Sequence, residues 1–143
     1  MSRVFLMLPI ALLLCAAGPA CAGDNVDYLY RLHCSGCHGL DGLGSKVGRI
    51  PPFPGIVGHF ADLPEGRLYL VQVPGVANAA LPDAETAALL NYVLQTWGGA
   101  GKPAPRFTTD EVHQLRKAKV DDIATLRQAL ESELARHHVS VKY

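Results

Sequence analysis

The chain has 143 residues, about half of them apolar (49%), with 13 basic and 13 acidic side chains and therefore no formal net charge. That length suits one domain, and the charge balance excludes the concentrated basic face that nucleic-acid binding requires. The basic residues gather toward the end: four basic and seven acidic side chains fall in residues 23–101, against eight and six in residues 102–143.

The first residues, Met1-Ser2-Arg3, carry one positive charge, and an apolar run from Val4 to Leu14 leads to small residues at Ala16, Ala17, Gly18 and Ala20. This pattern reads as a secretory signal peptide over residues 1–22, cut after Ala22 at the small-x-small site Ala20-Cys21-Ala22. Cleavage after Ala20 and acylation of Cys15 or Cys21 are the alternatives. The apolar run is too short for a membrane span, so the expectation is a periplasmic protein without one. Cleavage removes Cys15 and Cys21 and leaves Cys34 and Cys37 as the only thiols.

Asp24 to His33 predicts a short helix, capped by Asp24 or Asn25, with Val26, Leu29, Tyr30 and His33 on one face. It runs into Cys34-Ser35-Gly36-Cys37-His38. Two thiols and an imidazole at this spacing are what covalent haem attachment requires: the cysteines add across the haem vinyl groups and the histidine becomes the proximal iron ligand. A redox dithiol would open the helix of a βαβ unit, yet no strand pattern precedes Cys34. A structural zinc site needs two further close ligands, and His59 and His113 are single and distant.

From Gly39 to Gly58 the chain holds six glycines and three prolines, which predicts a loop wrapped around something other than its own side chains. Glu65 to Val73 reads as a strand by β-branched content or a helix by the spacing of Leu68, Leu70 and Val71; the helix, stopping at Pro74-Gly75, is the preferred expectation. Asp83 to Trp97 is the clearest helix, with Pro82 at its start, acidic residues in the first turn and Gly98-Gly99 at its stop. Its apolar stripe is Leu89, Leu90, Val93, Leu94 and Trp97, read as core packing.

A Gly/Pro linker follows from Gly98 to Pro105. Thr108-Thr109-Asp110-Glu111 then forms a capping-box start for a helix to about Ala118, and Asp121 or Asp122 caps another with Ile123, Leu126, Leu130 and Leu134 at helical spacing. The tail is thus a helical hairpin or one bent helix, packed on the domain or meeting a partner. The organisation expected is a signal peptide (1–22), a haem domain (23–99), and a linker with a helical C-terminal extension (100–143).

With the pieces in this order, Asp24 to Trp97 resembles the small secreted c-type cytochromes of class I. The resemblance implies an all-α cytochrome c fold: N- and C-terminal helices that cross, haem-wrapping loops, and one covalently bound haem c. In that family a Pro-x-Leu-x-Gly loop orients the proximal histidine, and Pro51-Pro52-Phe53-Pro54-Gly55 fits it, which implies that the Pro51 carbonyl accepts a hydrogen bond from His38. His59 falls where some members place a basic residue near a haem propionate. Arg49, Arg67 and Tyr69 are further propionate candidates, since buried carboxylates need charged or hydroxyl partners.

The departure from the family is the distal ligand. Such cytochromes usually place a methionine before the last helix, but the methionines here are Met1 and Met7, both in the signal segment. Hand alignment puts the methionine place near Val76, and Asn78, two residues on, is the tentative distal ligand beside His33, His59 or an open position.

No Ser/His/Asp set or recognisable pair of carboxylates indicates an enzyme. The function expected from the resemblance is electron transfer with a redox partner protein such as a periplasmic dehydrogenase or a terminal oxidase or reductase. The alternatives are a gas-binding haem protein with an open or weakly held sixth site and a haem subunit of a larger oxidoreductase.

Overall fold

The computed structural model describes residues 22–99 and 105–143. Most of the segment read as a signal peptide, including Cys15 and Cys21, and linker residues 100–104 lie outside the described residues. Within them the chain forms eight helices and no strand, with one isolated bridge between Ser45 and Ile50. The all-α fold expected from the resemblance is the fold adopted.

Helix α1 (Ala22–His33) begins two residues before the expected start and is followed by the one-turn α2 (Ser35–His38) carrying the motif. Helix α6 (Asp83–Trp97) crosses α1. Their shared face is Leu29 and Tyr30 against Leu89 and Val93, all buried. Three rings tighten the contact: Tyr30 lies 5.8 Å from Tyr92 and 5.0 Å from Trp97, centroid to centroid. The Tyr92 hydroxyl donates to Asp27 at 3.1 Å, so the crossing has a polar pin as well as an apolar seam.

The loop expected over residues 39–58 ends two residues early, because Val57–Ala61 forms the short helix α3. The ambiguous stretch is helical as α4 (Pro64–Gln72), with Pro64 at its first turn, where a missing N–H costs nothing. Pro74 then ends it as expected: the residue before a proline is pushed out of the helical region, and Val73 is extended with ψ 138°. The chain nevertheless re-enters a helix at once, α5 (Pro74–Ala77), for which Pro74 is the first residue. Gly66 packs α4 against α3 so closely that a Cβ there would collide with the Phe60 carbonyl.

The tail is a hairpin of two helices, α7 (Thr109–Lys117) and α8 (Ile123–Arg136). The Thr108 side chain accepts from the Glu111 N–H at 3.1 Å, and Asp122 accepts from Ala124 and Thr125 at 3.0 and 3.1 Å. Phe107 and Val112, the residue before the cap and the one four after it, pack together as a hydrophobic staple.

Residues 105–143 are not an appendage. Phe107 and Val112 share a buried cluster with Val71, Ala87 and Leu90 of α4 and α6, and Leu130 and Leu134 share another with Ile56, Phe60 and Tyr69. Asn91 fixes the entry to this segment by donating to the Phe107 carbonyl at 2.9 Å and accepting from its N–H at 2.8 Å.

Candidate haem-binding site

Between α1–α2, the 50–57 loop and helices α3 to α6 lies a cavity of about 330 Å³. Cys34, Cys37 and His38 stand on its wall, because α2 turns the three side chains of the motif off the end of α1 toward it. The Tyr30 hydroxyl donates to the Gly39 carbonyl at 2.6 Å, tying the far end of the motif to the α1–α6 crossing. The rest of the wall is mostly apolar, including Ile50, Phe53, Leu70, Val73, Leu81 and Leu90.

His38 is stacked on Phe53, with ring centroids 3.9 Å apart and planes 14° from parallel. Burial lowers its pKa to about 4 and the nearby Pro51 carbonyl opposes that shift, so the imidazole is neutral at physiological pH and keeps a lone pair. The Pro51 carbonyl lies against the ring, within its influence, though Nδ1 of His38 has no partner in full hydrogen-bond geometry.

The two thiols are free and unequal. Cys37 is exposed, whereas burial, helped by the neighbouring Cys37, pushes Cys34 up to about 11. The described residues contain no cluster of three or more His, Cys, Asp or Glu side chains able to hold a bare metal ion. The donor set therefore fits haem rather than zinc: two thiols for thioether linkage, one neutral imidazole for iron, and an apolar chamber for the macrocycle.

Among curated proteins the chain is similar to cytochrome c-552 of Thermus thermophilus, 35% identical over 107 aligned residues that cover 61% of this chain and 81% of the relative. The chain belongs to the c-type cytochrome family. A second cytochrome c-552 of the same species is also 35% identical, over 72% of its length. No protein-family model and no solved structure matches the chain. As a c-type cytochrome the protein is a haem electron-transfer protein rather than an enzyme, and the cofactor of its family is covalently bound haem c.

The cytochrome's remaining sequence-predicted site residues divide sharply. Pro51 and Tyr69 line the cavity. Arg67 does not: its guanidinium is spent on Glu111, at 2.5 and 2.7 Å, on the Pro105 carbonyl at 2.8 Å, and on the Phe107 ring 3.8 Å away. It anchors the tail, facing Glu111 and Phe107 rather than the cavity. His59 sits exposed on α3 and off the cavity wall. Arg49 is exposed and lies 5.5 Å from the centroid of the Tyr143 ring.

Asn78 is also exposed and off the wall, because it ends the one-turn helix α5 while Val76 and Ala79 turn inward on either side of it. This placement argues against Asn78 as a distal ligand. His33, one of the alternatives for the distal position, lines the cavity, as do Thr86 and Arg127, which the sequence did not point to in that role. Thr86 is committed elsewhere, accepting from Arg116 at 2.8 Å. For Arg127 a signal existed: it occupies the Ile123, Leu130, Leu134 stripe of α8, where an arginine is out of place unless it has a buried task.

Proposed function

We propose that the protein is a periplasmic cytochrome with a single haem c, passing electrons to or from a partner enzyme such as a dehydrogenase or a terminal oxidase or reductase. The observation that carries this reading is the placement of Cys34, Cys37 and a neutral His38 together on the wall of one apolar cavity. Cys34 and Cys37 would hold the cofactor by thioether bonds and His38 would ligate its iron. Pro51 lies beside His38 to orient the ring.

When bound, the haem supplies a one-electron couple whose potential depends on axial ligation and on exclusion of water. The chain's own contribution is to exclude that water, through Phe53, Leu70, Leu90 and their neighbours, and to keep His38 unprotonated. Cys37, exposed at the cavity mouth, leaves one edge accessible for the small, transient contact that electron exchange uses.

A second reading, reversible binding of a diatomic gas, is favoured by one observation. Near Val76 the wall offers Val73, Val76, Ala79 and Leu81, none of which can ligate iron, and residues 23–143 contain no methionine. An open or weakly held sixth position admits carbon monoxide or nitric oxide.

A haem stain on a denaturing gel tests the first reading, with a Cys34→Ala/Cys37→Ala variant beside it. Staining of the parent and none of the variant is expected; a variant that keeps its haem through acid-acetone extraction would overturn the attachment. Carbon monoxide then separates the two readings. Rapid spectral change of the ferrous protein favours gas binding, and a low-spin spectrum that ignores the gas removes it.

A further inference from the structure

The tail contributes a cation to the cavity wall. Arg127 of α8 lines the cavity with its side chain 23% exposed. Nε donates to Glu131 at 2.8 Å and Nη2 donates to the Tyr143 hydroxyl. The Tyr69 hydroxyl also lies within reach of the guanidinium.

The neighbourhood is built and not incidental. The Tyr143 hydroxyl donates to Glu131 at 2.6 Å, and its ring lies 4.9 Å from the Arg127 guanidinium and 5.5 Å from that of Arg49. Tyr69 of α4 is buried next to the same group: burial raises its pKa, and Arg127 opposes the rise. The charged groups gathered here are Arg127 and Glu131 of α8, which pair, and the exposed Arg49 of the loop; of these Arg127 alone lines the apolar chamber. Desolvated cations need anionic partners, and an arginine fork is suited to a carboxylate.

We infer that Arg127 is a cofactor-binding residue, its guanidinium pairing with a propionate carboxylate of haem held in the cavity. The C-terminal extension is then part of the cofactor site. Tyr143 and Glu131 act as positioning residues, holding the guanidinium toward the chamber. This inference rests on the haem reading given above.

The test uses the full-length, haem-loaded protein. In Arg127→Gln the lost positive charge lowers the reduction potential, and the unpaired propionate titrates at higher pH, so a pH-dependent step in the potential enters the neutral range. Arg136→Gln removes an exposed cation of the same helix that does not line the cavity, and should add no such step. Arg127→Gln with the parent's potential and pH profile would overturn the assignment.

If Arg127→Gln does not fold, Arg127→Lys is read by resonance Raman spectroscopy. A displaced propionate bending band supports the pairing, because an ammonium cannot reproduce the arginine fork, and an unmoved band overturns it. Failure of the haem reading is separately visible, as a parent protein that carries no covalent haem.

Discussion

Asn91→Ala should loosen the whole second half of the molecule, and the size of the effect can be worked out bond by bond. Asn91 is 8% exposed and Phe107 3% exposed. The amide makes two hydrogen bonds, at 2.9 and 2.8 Å, to the Phe107 carbonyl and N–H. Removing it strands one buried donor and one buried acceptor, each costing about 1–3 kcal/mol. Partial entry of water into the space left by the amide relieves some of this, so about 2–4 kcal/mol is expected. Guanidinium chloride unfolding followed by far-UV circular dichroism measures it, with the transition midpoint falling at unchanged slope. A loss below about 0.5 kcal/mol, the scale of an ordinary surface substitution, would refute the idea that Asn91 clasps the tail to the core.

Other outcomes follow from the same contacts. Gly66→Ala drives a methyl group into the Phe60 carbonyl and should destabilise by about 1–3 kcal/mol in the same unfolding assay. Glu111 has its pKa lowered chiefly by its hydrogen bond from Arg67, and Asp83 chiefly by those from His113 and Arg116. Their stabilisation is therefore present above the ordinary values of 4.5 and 3.8 and is lost as pH falls through the lower folded values; Glu111→Gln should flatten the acid limb of stability against pH. Asn78→Ala should leave the haem spectrum unchanged, whereas Val76→Met places a thioether on the cavity wall, which should raise the reduction potential and suppress carbon monoxide binding.

Local signals carried the fold a long way. The Thr108 and Asp122 caps and the Asp83–Trp97 helix are each written within a few residues, and the structure forms them there. The Glu65–Val73 stretch was ambiguous because Leu-Tyr-Leu-Val suits either period, and contact with α3 and α8 decides for helix. Arg67 could not be placed from sequence, since its partner Glu111 lies 44 positions away and the pairing depends on how the tail returns. The same holds for Asn78: residue type allowed ligation, but one turn of helix after Pro74 points it outward. Asn91 was the missed hint, a polar side chain between Leu90 and Val93 on the buried side of α6, and such a residue needs a buried partner.

The sequence contains one tryptophan. Its indole, Trp97, lies 5.6 Å from Phe53, which is itself stacked on the His38 ring, while the clasp between Asn91 and Phe107 belongs to a different cluster of the core. Fluorescence from this one ring therefore reports on the chamber and not on the tail. Emission quenched by energy transfer to a nearby haem would return when the chamber opens, so release of the tail and exposure of the cofactor can be timed as separate events in one protein without an added dye.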